Sequence, residues 1–126
     1  MKKVTVAAIQ MAMRCNPEDN IFTAENLVRQ AAANGANVIL LPELFETKYF
    51  CQEKNYGYYK LATTVQENKA VRRFSDVAKS LGVVIPVSFF ERDKNNTYNS
   101  CGHGNKFKST ATECSFLSLE VHLICC

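Results

Sequence analysis

Two stretches of helical periodicity, each closed by a glycine and followed at once by an apolar run, dictate most of what this chain can fold into. In the first, Ala24, Leu27, Val28, Ala31 and Ala32 repeat at i, i+3, i+4, i+7 and i+8, which puts them on one helical face. Gly35 follows where helices commonly end, and Val38-Ile39-Leu40-Leu41 is short and apolar enough for a buried strand. Ahead of the helix, Lys3 to Gln10 reads as another strand. Asn16-Pro17-Glu18-Asp19-Asn20 reads as a polar turn in which Asn20 is placed to cap the helix. Strand, helix and strand in this order form a crossover unit, which is nearly always right-handed and makes its strands parallel.

The pattern then repeats after an irregular, aromatic stretch from Tyr49 to Lys60. From about Asn68 to Leu81, Ala70, Phe74, Val77, Ala78 and Leu81 share a helical face, and Gly82 stops it. Val83 to Phe90 is apolar enough for a strand buried on both sides, and Pro86 within it predicts a bulge or an edge position. Asp93 to Asn96 is a turn, and Thr97-Tyr98-Asn99-Ser100 opens a fourth strand paired back on the third. At Cys101 the pattern breaks. Gly102-His103-Gly104-Asn105 offers no strand continuation, Lys106 to Glu113 is polar, and the apolar run Phe116 to Ile124 has no evident partner. The expected organisation is an α/β body over residues 1–100 and an unrelated, disordered or aberrant tail over 101–126.

A chain of 126 residues, 47% of them hydrophobic, supports one core and buries roughly two-thirds of its unfolded surface. The net charge of +3 is ordinary, and Lys2-Lys3 and Arg72-Arg73 are isolated pairs; no nucleic-acid partner is expected. Neither a signal-like apolar region nor a stretch of membrane-spanning length is present, so the expectation is a cytoplasmic chain with no membrane partner. Of six cysteines, only Cys15 and Cys51 precede residue 100; the other four share the tail with His103 and His122. Their spacings do not make the paired chelating motifs of a zinc site, and a cytosolic setting argues against a disulfide framework. No metal and no cofactor are expected: Gly102-x-Gly104 is too short for a dinucleotide fingerprint, and a phosphate-binding loop is absent. Without a histidine in the first 100 residues, neither Cys15 nor Cys51 fits a papain-like cysteine–histidine pair.

Glu43 is the residue that points to chemistry. It follows an apolar strand and Pro42, and precedes Leu44-Phe45. A carboxylate among such neighbours is costly unless paired, and ligands of open α/β sheets bind at the carboxyl ends of strands. Two readings stand: a general base, or a salt-bridged residue at a strand end. Glu91 ends the third strand and places a second carboxylate on the same rim. Tyr49 and Phe50, just beyond Glu43, either line a substrate cleft or pack beneath a loop.

Three separated segments resemble the amino-terminal part of the nitrilase, or carbon–nitrogen hydrolase, superfamily. They are Val4 to Met11, Gly35 to Thr47 with its Leu41-Pro42-Glu43-Leu44-Phe45 centre, and Leu81 to Glu91; Tyr49-Phe50-Cys51-Gln52 and Ser88-Phe89-Phe90-Glu91 add to the match. Lys48 departs mildly from relatives, which often carry Pro or Gly there. The resemblance covers about residues 2–100 and implies the truncated amino-terminal part of an α-β-β-α sandwich, homo-oligomeric in the family, acting on a small-molecule ureido or amide substrate. It also implies a Glu-Lys-Cys mechanism. The glutamate takes the cysteine proton, the thiolate attacks the carbonyl carbon, and the lysine stabilises the oxyanion. Glu43 matches the glutamate as catalytic residue; Tyr49 and Glu91 are the candidate substrate-binding residues. The family lysine lies in an Arg-Lys-x-His-type motif and the nucleophile in a Cys-Trp motif. This chain contains neither and has no Trp, so no role passes to Lys106, Lys108 or any cysteine. An inactive fragment is therefore expected. Two alternatives are a catalytically dead module docking on full-length subunits and a small metal-binding protein using the Cys/His tail.

Overall fold

The computed structural model describes residues 3–103 and 121–125. Strand β1 (Val4–Ala8), helix α1 (Pro17–Ala33) and strand β2 (Val38–Leu40) form the first crossover unit, with β1 and β2 parallel and Val6 opposite Val38. A short 3-10 helix (Tyr56–Leu61) occupies the aromatic stretch, followed by helix α2 (Lys69–Leu81), strand β3 (Pro86–Asp93) and strand β4 (Asn96–His103). Strands β3 and β4 form an antiparallel ribbon with unbroken register from Pro86–His103 to Asp93–Asn96.

Helix α1 begins four residues earlier than its periodicity suggests. Its cap is Asn16, whose side chain accepts from the Glu18 N–H at 3.2 Å, and Pro17 is the first helical residue. Proline suits that position because the N–H it lacks has no intrahelical partner there. Asn20, expected to cap, lies inside the helix with 1% of its surface exposed. Its side chain accepts from the Arg14 N–H at 2.7 Å and donates to the carbonyls of Arg14 and Glu46, both at 2.9 Å. It ties the entry loop to the segment after β2. At the far end Gly35 takes φ +91°, while its N–H reaches Ala32 and that of Ala36 reaches Ala31. These are the two bonds of a glycine-closed helix end.

Pro86 does not bulge the strand; it opens β3, an edge strand of the two-stranded β3–β4 sheet. Before it, Val84 lies parallel to β2: Ile39 N–H donates to Val84 O, and Val84 N–H to Asn37 O, each at 2.9 Å. From Pro86 onward the pairing passes to β4. A residue without an N–H fits the first position of a strand, where that handover falls. The pairing of β4 also continues through Cys101 and Gly102 to His103, past the break expected at Cys101. Strand β5 (Val121–Cys125) pairs parallel with the other side of β1, so the sheet order is β2-β1-β5. That segment of the apolar tail run thus has a partner; the expectations for residues 104–120 lie outside the described residues.

Both helices pack on one face of the strands. Ala24, Val28 and Ala31 of α1 and Ala70, Phe74 and Val77 of α2 share a single buried cluster with Ala7, Ile39, Ile85, Val87 and Phe89. The helices are joined to each other by Glu25. Its carboxylate accepts from Arg29 at 2.7 Å within α1 and from Arg73 of α2 at 2.6 Å. On the opposite face, Leu40 and Val84 stay exposed. This is one helical layer on one sheet layer, as in half of an α-β-β-α sandwich.

Candidate active site

The turn after β2 sorts its side chains by burial. Leu41 is buried, Glu43 is exposed, and Leu44 and Phe45 return to the core. Phe45 packs edge-to-face on Phe74, ring centres 5.5 Å apart. Leu44 adopts φ +49°, a left-handed conformation that costs a branched residue about 1–2 kcal/mol. Burial of Leu44 and Phe45 holds the chain in it, and Glu43 is turned outward as a result.

Glu43 makes no ion pair among the described residues. Its Oε1 accepts a hydrogen bond from Asn99 Nδ2 of β4, and Asn99 Oδ1 in turn accepts from Ser88 Oγ of β3 at 3.1 Å. The salt-bridged alternative has no cation among the described residues, and the cost anticipated for a carboxylate in apolar surroundings does not apply to this exposed group. That cost falls on Glu46, which sequence reasoning did not single out. Burial pushes the Glu46 carboxyl above its ordinary range, opposed by hydrogen bonds from Asn68 Nδ2, at 2.9 Å, and the Ala70 N–H.

Tyr49 joins Glu43. Its phenol is held above its ordinary pKa, first by hydrogen bonding to Cys51 and next by the negative charge of Glu43. Glu91 does not join them. Register pairs Phe90 with Asn99 and Glu91 with Tyr98, and side chains alternate across a strand, so Glu91 projects from the other face of the ribbon. There its carboxylate accepts from the hydroxyl of buried Ser100. Beside the Glu43 face opens a cleft of about 390 Å³ lined by Phe50, Cys51, Tyr56, Tyr58, Tyr59 and Phe90. Phe50 packs on Phe90 and Tyr58 at ring distances of 5.1 and 5.3 Å. Tyr56 is 85% exposed at the mouth.

Asn99 and Ser88 also escaped the sequence reading. One signal was available: asparagine is disfavoured in strands, and such local inconsistencies gather at functional sites. Partial desolvation pushes the Cys101 thiol above its ordinary value, the direction opposite to that of a nucleophile. Among the described residues, no three His, Cys, Asp or Glu side chains converge as a metal site would require, and no helix is long and apolar enough to cross a membrane.

A helix-covered sheet with a carboxylate exposed at the carboxyl end of a strand defines an α/β protein with a rim site. Comparison with known proteins assigns it further. The chain belongs to the carbon–nitrogen hydrolase family, whose model, described as "Carbon-nitrogen hydrolase", matches residues 5–103. It is 47% identical over 98 residues to an N-carbamoylputrescine amidase of Oryza sativa subsp. japonica, covering 78% of this chain and 33% of that one. It is 41% identical over 100 residues to a citrullinase of Francisella tularensis subsp. tularensis, covering 79% and 35%. The crystal structure of a carbon–nitrogen hydrolase from Helicobacter pylori G27 superposes with a TM-score of 0.66 at 33% identity, over 75% of this chain and 33% of that one. The chain spans about a third of the length of the relatives it matches.

Proposed function

We propose that this chain is the amino-terminal part of a hydrolase acting on N-carbamoylputrescine, with Glu43 as its general base. The observation that carries the proposal is Glu43 itself, exposed beyond β2, without a cation among the described residues, and held by an amide. In the complete reaction Glu43 would take the proton of a cysteine supplied by the rest of a full-length enzyme. The sulfur would bond to the ureido carbon, ammonia would leave, and a carbamoyl-enzyme would form. Water would then release a carbamate that decomposes to carbon dioxide and putrescine, a step toward polyamines. Tyr49 and the aromatic cleft beside it would hold the carbon chain of the substrate. The full-length form would be a homo-oligomeric cytoplasmic protein.

Similarity to the citrullinase supports a second substrate, since citrulline presents the same ureido group on an amino acid. Joining residues 1–103 to the remaining two-thirds of the rice relative would supply the absent groups. Ammonia release from N-carbamoylputrescine well above that from citrulline is expected. The reverse preference would move the substrate to the amino acid, and no release from either would remove the proposal. The 126-residue chain alone should release no ammonia above background. Its co-purification with a full-length relative would favour the docking-module alternative, and binding of zinc the metal-binding one.

A further inference from the structure

We infer that Asn99, with its amide oriented by Ser88, is the positioning residue of Glu43. The inference rests on the assignment of Glu43 as a base, but its geometry stands apart from turnover. Glu43 is exposed on a turn and has three side-chain torsions, and its own segment offers the exposed Tyr49 phenol as a partner for the carboxylate. A base works only when held within hydrogen-bond reach of the proton it takes, and small misplacements cost large factors in rate. The fixing group comes from 56 residues away, where Asn99 Nδ2 donates to Glu43 Oε1.

The carboxamide has two ends, and only one of them suits a carboxylate. Ser88 selects it. Its hydroxyl donates to Asn99 Oδ1 at 3.1 Å, which leaves the NH2 end facing Glu43. A flipped amide would set its oxygen against the carboxylate and waste the serine hydroxyl. Ser88 and Asn99 lie on the same face of the β3–β4 ribbon, whose continuous register holds both, so the donor is mounted on rigid structure. The amide uses one acceptor position of a carboxylate that has about four; with the Tyr49 phenol also against it, acceptor positions still remain for a proton.

The test is nuclear magnetic resonance of the 126-residue chain with labelled glutamate, reading side-chain three-bond couplings of Glu43. In the unchanged chain one rotamer should dominate. In Asn99→Leu, which keeps size and loses the donor, the couplings should move to averaged values while the backbone amides of Val87 and Phe89 stay in place. Ser88→Ala should produce part of the same averaging by freeing the amide to flip. If Asn99→Leu fails to fold, Glu43→Ala reads the contact from its other end, since the Asn99 Nδ2 protons should lose their protection from exchange. A tie that merely stabilises the turn would lower Tm without changing the Glu43 rotamer. An averaged Glu43 in the unchanged chain, a single rotamer surviving in Asn99→Leu, or Asn99 protons indifferent to Glu43→Ala would each overturn the inference. None of these readouts needs catalysis, so an inactive enzyme would count against the base and not against the contact.

Discussion

Two glutamates three residues apart, Glu43 and Glu46, sit in opposite environments, the first exposed and the second largely withdrawn from water. Glu46 has its pKa raised by burial, so its contribution to stability is complete below the unfolded carboxylate value and is lost as pH rises through the folded one. Glu46→Gln keeps an acceptor for Asn68 and cannot ionise. Its Tm should match that of the unchanged chain near pH 4 and exceed it increasingly toward pH 8; a constant difference would contradict the burial argument. Glu25 runs the other way. Hydrogen bonding to Arg73 is the largest cause lowering its pKa, with Arg29 adding to it against the desolvation of a nearly buried side chain. Its contribution is present above the unfolded value and fades as pH falls through the lower folded one. The deficit of Glu25→Gln in thermal unfolding should therefore shrink below about pH 4. Glu43 was singled out in the sequence because its segment resembles a family, but the physical ground offered for it, a carboxylate in apolar surroundings, belongs to Glu46. Pattern reads which residues neighbour one another in sequence; whether a turn points a side chain in or out depends on the positive φ at Leu44, which no apolar pattern encodes.

Among the elements, both helices and the first parallel pair were legible because each carries a complete period and a glycine stop. Their faces match the buried cluster, with Ala70, Phe74, Val77 and Ala78 all inside it. The helix start was not legible, because an asparagine occurs at both 16 and 20 and a local rule cannot choose between a cap and a buried bridge. Substitution distinguishes them. Asn16→Ala should cost about 1 kcal/mol, the ordinary loss of a cap. Asn20→Ala removes three hydrogen bonds and leaves the Arg14 N–H and two carbonyls short of partners, which should cost about 2–4 kcal/mol. Equal losses in denaturant unfolding would return the cap to Asn20. The handover of β3 from β2 to β4 at Pro86 was half legible: proline signalled an irregularity, while its kind depended on strands distant in sequence.

Across the whole molecule, the helices cover one face of the sheet and leave Leu40 (50% exposed) and Val84 (45%) on the other. In a four-layer sandwich a second sheet lies on such a face, so the isolated chain should associate at micromolar concentration. Leu40→Lys together with Val84→Lys should shift its sedimentation toward monomer; a clean monomer before substitution would contradict this. The layer order was legible through the family resemblance rather than through periodicity, which shows that a strand is apolar but not what lies beyond it. The Asn99–Glu43 contact was not legible at all, since it joins residues 56 apart through a ribbon register that sequence does not display. The central claim is that this chain supplies the general base of a carbon–nitrogen hydrolase. Its most direct test is ammonia release by residues 1–103 joined to the carboxyl-terminal portion of the rice relative, with Glu43 intact or replaced. Glu43→Gln keeps the side-chain volume and removes the basic carboxylate, so kcat on N-carbamoylputrescine should fall at least about a hundredfold, as for loss of a general base, with an unchanged unfolding midpoint. Turnover within a few-fold of the parent in the Glu43→Gln protein would contradict the account.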